Sequence, residues 1–158
     1  MFTWRPRTTL CTTVVISCLT LAYAACADAS GGLRAGFSSN PDQVLLGGQL
    51  ELAPVAHNLY IIPSGDLGLG DDATTLSFNG DLQYRFVSRS SVRFYAGGGL
   101  SLFYVNVNNG GGSDTNLGLS ALGGMFFNRN SKNPMFVEVK AGLTDEVPDW
   151  RTVFGVNF

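Results

Sequence analysis

Leu76-Ser-Phe-Asn-Gly-Asp-Leu-Gln-Tyr-Arg-Phe86 alternates without a break, and this stretch decides how the rest of the chain is read. One set of positions, Leu76, Phe78, Gly80, Leu82, Tyr84 and Phe86, is apolar or small; the other, Ser77, Asn79, Asp81, Gln83 and Arg85, is polar throughout. Successive residues of a strand point to opposite faces, so a strand separates the two sets completely, whereas the 3.6-residue period of a helix mixes them.

The same period recurs over residues 32–38, 44–53, 58–69, 92–105, 115–127, 135–143 and 150–158, which together with 74–86 predicts eight strands. Val44, Leu46, Leu50 and Leu52 oppose Gln49 and Glu51; Met135, Val137, Val139, Ala141 and Leu143 oppose Glu138 and Lys140; Trp150, Phe154, Val156 and Phe158 oppose Arg151 and Asn157. Turn-forming clusters lie between the segments, at Ser39–Asp42, Gly70–Asp72, Ser88–Ser91, Asn108–Asp114, Asn128–Pro134 and Asp145–Asp149, so hairpins in series are the natural connection. Pro63 and Gly65 interrupt the segment 58–69, and a bulge or bend is expected there.

The chain ahead of these strands has a different character. Arg5 and Arg7 precede an apolar run from Cys11 to Ala25 and then small residues, the layout of a secretory signal peptide over residues 1–29, leaving 30–158 as one domain. Small residues at the recognised positions allow cleavage after Ala24 or after Ala29. Cys11, Cys18 and Cys26 all lie in or beside this leader, so the domain has no disulfide framework and no cysteine metal cluster. Cys26 also resembles a lipid-acceptor cysteine, although Tyr23 stands where such motifs carry Leu, Val or Ile. With 45% hydrophobic and 14% charged residues the chain suits a packed domain, and a net charge of −2 with scattered Lys and Arg argues against a nucleic-acid partner.

No later stretch approaches the roughly 20 apolar residues of a membrane helix, so any spanning falls to strands. Period two permits a soluble barrel with apolar residues inside or a membrane barrel with apolar residues outside. The apolar rows carry Phe78, Tyr84, Phe86, Phe94, Tyr104, Trp150, Phe154 and Phe158, more bulk than a narrow lumen holds, and a water-facing exterior would be richer in Lys and Glu. The predicted fold is therefore all-β: an eight-stranded antiparallel up-and-down transmembrane β-barrel. Arg34, Glu51, Asp81, Arg85, Arg93, Glu138, Lys140 and Arg151 turn inward, where charges of both signs pair. An Arg or Lys on the lipid side near the midplane costs about 2–4 kcal/mol, which enforces the sorting. Tyr84, Phe86, Tyr104, Trp150 and Phe158 fall towards strand ends, where aromatic girdles meet the membrane interfaces.

On these rows, and above all on the final strand Trp150-Arg-Thr-Val-Phe-Gly-Val-Asn-Phe158, the chain resembles the small outer-membrane β-barrel families of the OmpA-like, OmpX-like and opacity types. The resemblance implies residence in the cell outer membrane as a monomer among lipid and lipopolysaccharide. It also implies recognition by the outer-membrane assembly machinery through the last strand and Phe158, and both termini facing the periplasm. The connections after strands one, three, five and seven are then external and carry Asp42, Asp71, Asp72, Asp114, Asp145, Glu146 and Asp149. The opposite turns carry His57, Arg89, Arg129 and Lys132. The acidic external rim, chiefly Asp71, Asp72, Asp145, Glu146 and Asp149, is either a set of solvated loops or a surface for divalent cations that bridge lipopolysaccharide.

Catalytic chemistry has little to stand on. His57, the single histidine, falls on a predicted periplasmic turn, away from where a lipid-modifying hydrolase would need it. The Gly-rich pieces Asn108–Ser113 and Gly97–Gly99 are followed by no helix pattern, so neither is a phosphate loop. Glu51, Asp81 and Glu138 are more simply partners of Arg85, Arg93 and Lys140 than an acid pair. The expected role is non-enzymatic, without cofactor or resident metal, structural or surface-interacting, with a lumen plugged by side chains. The alternatives are a lipocalin-like soluble or surface barrel for an apolar ligand and an outer-membrane lipid-modifying enzyme.

Overall fold

A computed structural model describes residues 29–39, 42–71, 73–107, 113–128, 131–145 and 147–158. The expectations for residues 1–28, Asp72, Arg129 and Glu146 lie outside the described residues. The strands are β1 (Ser30–Ser39), β2 (Gln43–Glu51), β3 (Leu59–Leu69), β4 (Ala73–Arg85), β5 (Arg93–Val107), β6 (Ser113–Phe127), β7 (Met135–Gly142) and β8 (Trp150–Asn157). Each pairs antiparallel with its sequence neighbour, and β8 returns to β1, closing an up-and-down barrel that leaves no sheet edge along the wall. Every segment predicted from period two is a strand, within a few residues at each end.

The stagger of the barrel is fixed by its register. A row of paired residues runs from Phe126 through Phe136, Gly155, Arg34, Gly47, Asp66, Ser77 and Phe103 to Asn116, returning to β6 ten residues from its start. A shear of ten on eight strands exceeds the shear of eight in a TIM barrel, so the strands tilt more steeply and the lumen is wider. It still has to be filled by side chains.

Pro63 behaves differently from expectation. The β3–β4 register is continuous from Leu59–Tyr84 to Leu69–Thr74, so no bulge interrupts it. Instead the β2–β3 ladder stops at Gln49–Ser64, one position short of Pro63, which has no N–H with which to continue it. The proline removes one donor on the β2 side, where Leu52 N–H donates to Ile61 O at 3.3 Å just beyond it, and leaves the β4 side paired without a break.

The outward faces form an apolar belt: Leu33, Phe37, Leu46, Leu67, Phe78, Leu100, Leu119, Val139 and Phe154 are all exposed. Soluble monomers rarely expose contiguous apolar patches beyond a few hundred Å², so hydrocarbon is the solvent this belt suits. Tyr84, Phe86, Tyr104, Trp150 and Phe158 are exposed too, with Tyr84 and Phe86 in an edge-to-face contact at 5.4 Å.

Inward glycines act as sockets for large neighbours. A Cβ on Gly47 would collide with Asp66, one on Gly99 with Asp81, one on Gly124 with the Tyr95 ring, and one on Gly155 with Phe136. Outward Gly80, by contrast, has open space around it. The wall is uneven: β5 and β6 have 15 residues each, β7 and β8 only 8. Beyond β7, Val147, 6% exposed, packs where a Cβ on Gly118 or Gly142 would lie.

Candidate functional site

Among the described residues, the lumen is where the fold gathers charged side chains away from solvent. Inward parity in β1, β3 and β8 brings Arg34, Asp66 and Arg151 to one level. Arg34 donates through Nε to Asp66 Oδ1 at 2.6 Å and through Nη2 to Oδ2, a bidentate pair with both side chains almost wholly buried. Asn79 Nδ2 donates to the same carboxylate at 3.1 Å, and Arg151 Nη1 stands 3.8 Å from it. Arg151 also donates to Asn79 Oδ1 at 3.1 Å and lies 5.1 Å from the centre of the Phe103 ring.

A second group centres on Lys140, whose ammonium pairs with Asp81 and lies 3.8 Å from Glu138. Glu138, 1% exposed, also accepts from Gln83 Nε2 at 2.9 Å and from the Tyr95 hydroxyl at 3.0 Å. A third lies towards the terminal end. There Arg85 donates from both terminal nitrogens to Glu51 at 2.6 and 2.7 Å and is sandwiched between Tyr60 at 3.9 Å and Phe126 at 4.6 Å. Asn157 adds a donor to Glu51 at 3.3 Å and accepts from Gln49 at 3.0 Å.

Cations and carboxylates thus match one for one, Arg34, Arg85, Lys140 and Arg151 against Glu51, Asp66, Asp81 and Glu138. Pairing is the condition under which buried charges are tolerated, and it is met here although Asp81 Oδ1, Glu138 Oε1 and Arg151 Nη1 accept or donate no hydrogen bond. Asp81 and Glu138 share Lys140, so they form an ion cluster and not an acid pair poised to exchange a proton. Arg93 is the exception among the predicted inward charges. It reaches the terminal-end mouth half-buried, its Nε has no hydrogen-bond partner, and no described carboxylate pairs with it.

Sequence reasoning missed Asp66, the most connected acid, and an aromatic cluster inside the wall. Tyr95, Phe126 and Phe136 are buried together, with ring centres 5.1 and 5.9 Å apart, so the lumen is part apolar as well as charged. Parity carried the signal. With Arg93 inward, Tyr95 and Phe103 must be inward too, and with Glu138 inward so must Phe136.

At the end away from the termini, Asp42, Asp71, Asp114, Asp145 and Asp149 are exposed; at the terminal end, His57, Arg89 and Lys132 are. His57 stands in the β2–β3 turn, apart from the luminal clusters.

No protein-family model matches the chain, and no curated protein does. Solved structures do. The N-terminal β-barrel domain of Pseudomonas aeruginosa OprF superposes with a TM-score of 0.70 at 15% identity, over 82% of this chain and 95% of that one. Neisserial surface protein A gives 0.59 at 18% identity, over 82% and 92%. The outer-membrane enzyme PagL gives 0.47 at 17% identity, over 81% and 96%. In fold, this chain is a small eight-stranded barrel of the outer-membrane type.

Proposed function

We propose that this protein is a non-enzymatic outer-membrane barrel, exported by its leader, whose filled lumen makes it a structural or surface-interacting element of the Gram-negative envelope. One observation carries the reading: four cations and four carboxylates, joined by five ion pairs, plug the interior while the outer wall is apolar. A carrier for an apolar ligand turns its apolar rows inward, the reverse of this wall. Phe158, exposed at the end of β8, suits recognition by assembly machinery. Among the described residues no three acidic side chains gather into a metal-holding group, so the acidic loop end, with Asp71, Asp145 and Asp149, is read as a set of solvated loops.

The test combines membrane partition with conductance. The protein should resist carbonate extraction from outer-membrane fractions, run faster unboiled than boiled on detergent gels, and give no large, stable conductance in planar bilayers. Release by carbonate, or a wide steady pore, refutes the proposal. Altered lipid A masses on expression would favour an enzyme instead.

A further inference from the structure

The lumen is closed unequally. Val147 packs into the mouth away from the termini, whereas the terminal-end mouth opens into a vestibule of about 380 Å³. Glu51, Tyr60, Arg85, Arg93, Lys132 and Asn157 line it. That volume lies at the small end of ligand sites, roughly 300–1,000 Å³.

Its charge is unbalanced. Glu51 is the one acidic side chain in the lining, and it is already taken by Arg85 and Asn157. Arg93 from β5 and Lys132 from the β6–β7 turn pair with no described carboxylate. The Nε atoms of Arg85 and Arg93 are buried without an acceptor. Arg85 is held between two rings and a bidentate carboxylate, so its position on the vestibule wall is fixed.

We infer that this vestibule binds a phosphate monoester or inorganic phosphate. Among the side chains of the lining Arg85 and Glu51 cancel, leaving the positive charges of Arg93 and Lys132 without a paired carboxylate, a surplus that a dianion neutralises. A phosphate monoester carries about −1.5 to −2 at neutral pH and offers three acceptor oxygens, whereas a carboxylate or a phosphodiester brings only a single charge. Guanidinium N–H groups on one wall and an exposed ammonium on the rim are the donor types that suit its oxygens.

The source is either free phosphate or a lipid that ends in a phosphate monoester, and two arms separate them. In the first, the refolded full chain in uncharged detergent is titrated with inorganic phosphate by calorimetry. In the second, it is placed in nanodiscs of phosphatidylcholine with equal phosphatidic acid and phosphatidylglycerol, and the lipids that co-purify with it in detergent are counted.

Saturable phosphate binding, weakened about tenfold or more in both Arg93→Gln and Lys132→Gln as expected for losing a charged hydrogen bond, supports the site and names a soluble ligand. Enrichment of phosphatidic acid over phosphatidylglycerol, lost in the same variants and reversed by added phosphate, supports it and names a lipid. Arg89→Gln removes an exposed charge from the neighbouring turn, outside the vestibule, and should change neither. Unboiled gel mobility reports folding, and Lys132, in an exposed turn, provides a variant without a packing cost. No saturable binding in either arm, or equal weakening by Arg89→Gln, overturns the inference.

Discussion

Asp66→Ala tests how the lumen is held together. In the native barrel this carboxylate accepts two hydrogen bonds from Arg34 and one from Asn79 at 3.1 Å, and stands 3.8 Å from Arg151. Truncation leaves Arg34 and Arg151, each 4% exposed, in a narrow lumen without that counterion. Breaking a buried pair from one side costs about 3–5 kcal/mol, because an uncompensated charge stays behind. Arg34→Met combined with Asp66→Leu removes charge from both sides and is expected to recover at least about 2 kcal/mol relative to the sum of the single changes, near the upper end for coupled neighbours. The assay is urea unfolding of the barrel refolded in uncharged micelles, with the folded fraction read from unboiled gel mobility. A cost below about 1 kcal/mol for Asp66→Ala, the range of an exposed pair, would refute the picture of a dry, paired interior. So would a double variant no better than additive.

Three further outcomes follow from the packing. Gly124→Ala, driven into the Tyr95 ring, should cost about 1–3 kcal/mol, while Gly80→Ala on the open outer face should stay within about 0.5 kcal/mol; the same urea titration checks both. Leu100→Arg on the outer face of β5 should destabilise the barrel in bilayers by about 2–4 kcal/mol, but Phe86→Arg, just past the end of β4, by no more than about 1 kcal/mol. Tyr95→Phe keeps the ring and removes the 3.0 Å donor to Glu138, for an expected loss of about 1.5–3 kcal/mol in the same urea titration in micelles, larger than the removal of a solvent-facing hydroxyl would produce.

The strands and the two sides of the wall could be read from the amino acids because period two is local: Leu76 to Phe86 declares its faces without knowing what stands beside it. The pairing of charges is not local. Arg34 and Asp66 are 32 positions apart and Lys140 and Asp81 are 59, and only the shear of the closed barrel brings each to the other. Asp66 escaped notice because it sits between Gly65 and Leu67, three residues after Pro63, in the stretch where alternation is weakest. The inner aromatics escaped because each has an outer apolar neighbour, Phe94 beside Tyr95, Phe127 beside Phe126, Met135 beside Phe136. Side-chain type alone does not say which of the two faces the lumen; the parity set by a nearby charge does. The empty Nε positions of Arg85 and Arg93 depend on the placement of individual atoms, which no pattern of residues encodes.

The uneven wall bears on the surrounding lipid. From Leu76 to Phe86 the outer face of β4 offers eleven positions of apolar height, roughly 25 Å at a strand tilt near 45°, while Met135 to Leu143 beside β7 offers nine, roughly 20 Å. A bilayer that fits one flank is too thick for the other, so acyl chains next to β7 and β8 must shorten or splay to keep the polar ends of those strands hydrated. Mismatch of a few ångströms carries a small penalty per ångström, enough to sort lipids by chain length around the circumference. The protein should therefore sit as a local dimple, gathering shorter tails on one flank and favouring thin regions of its membrane.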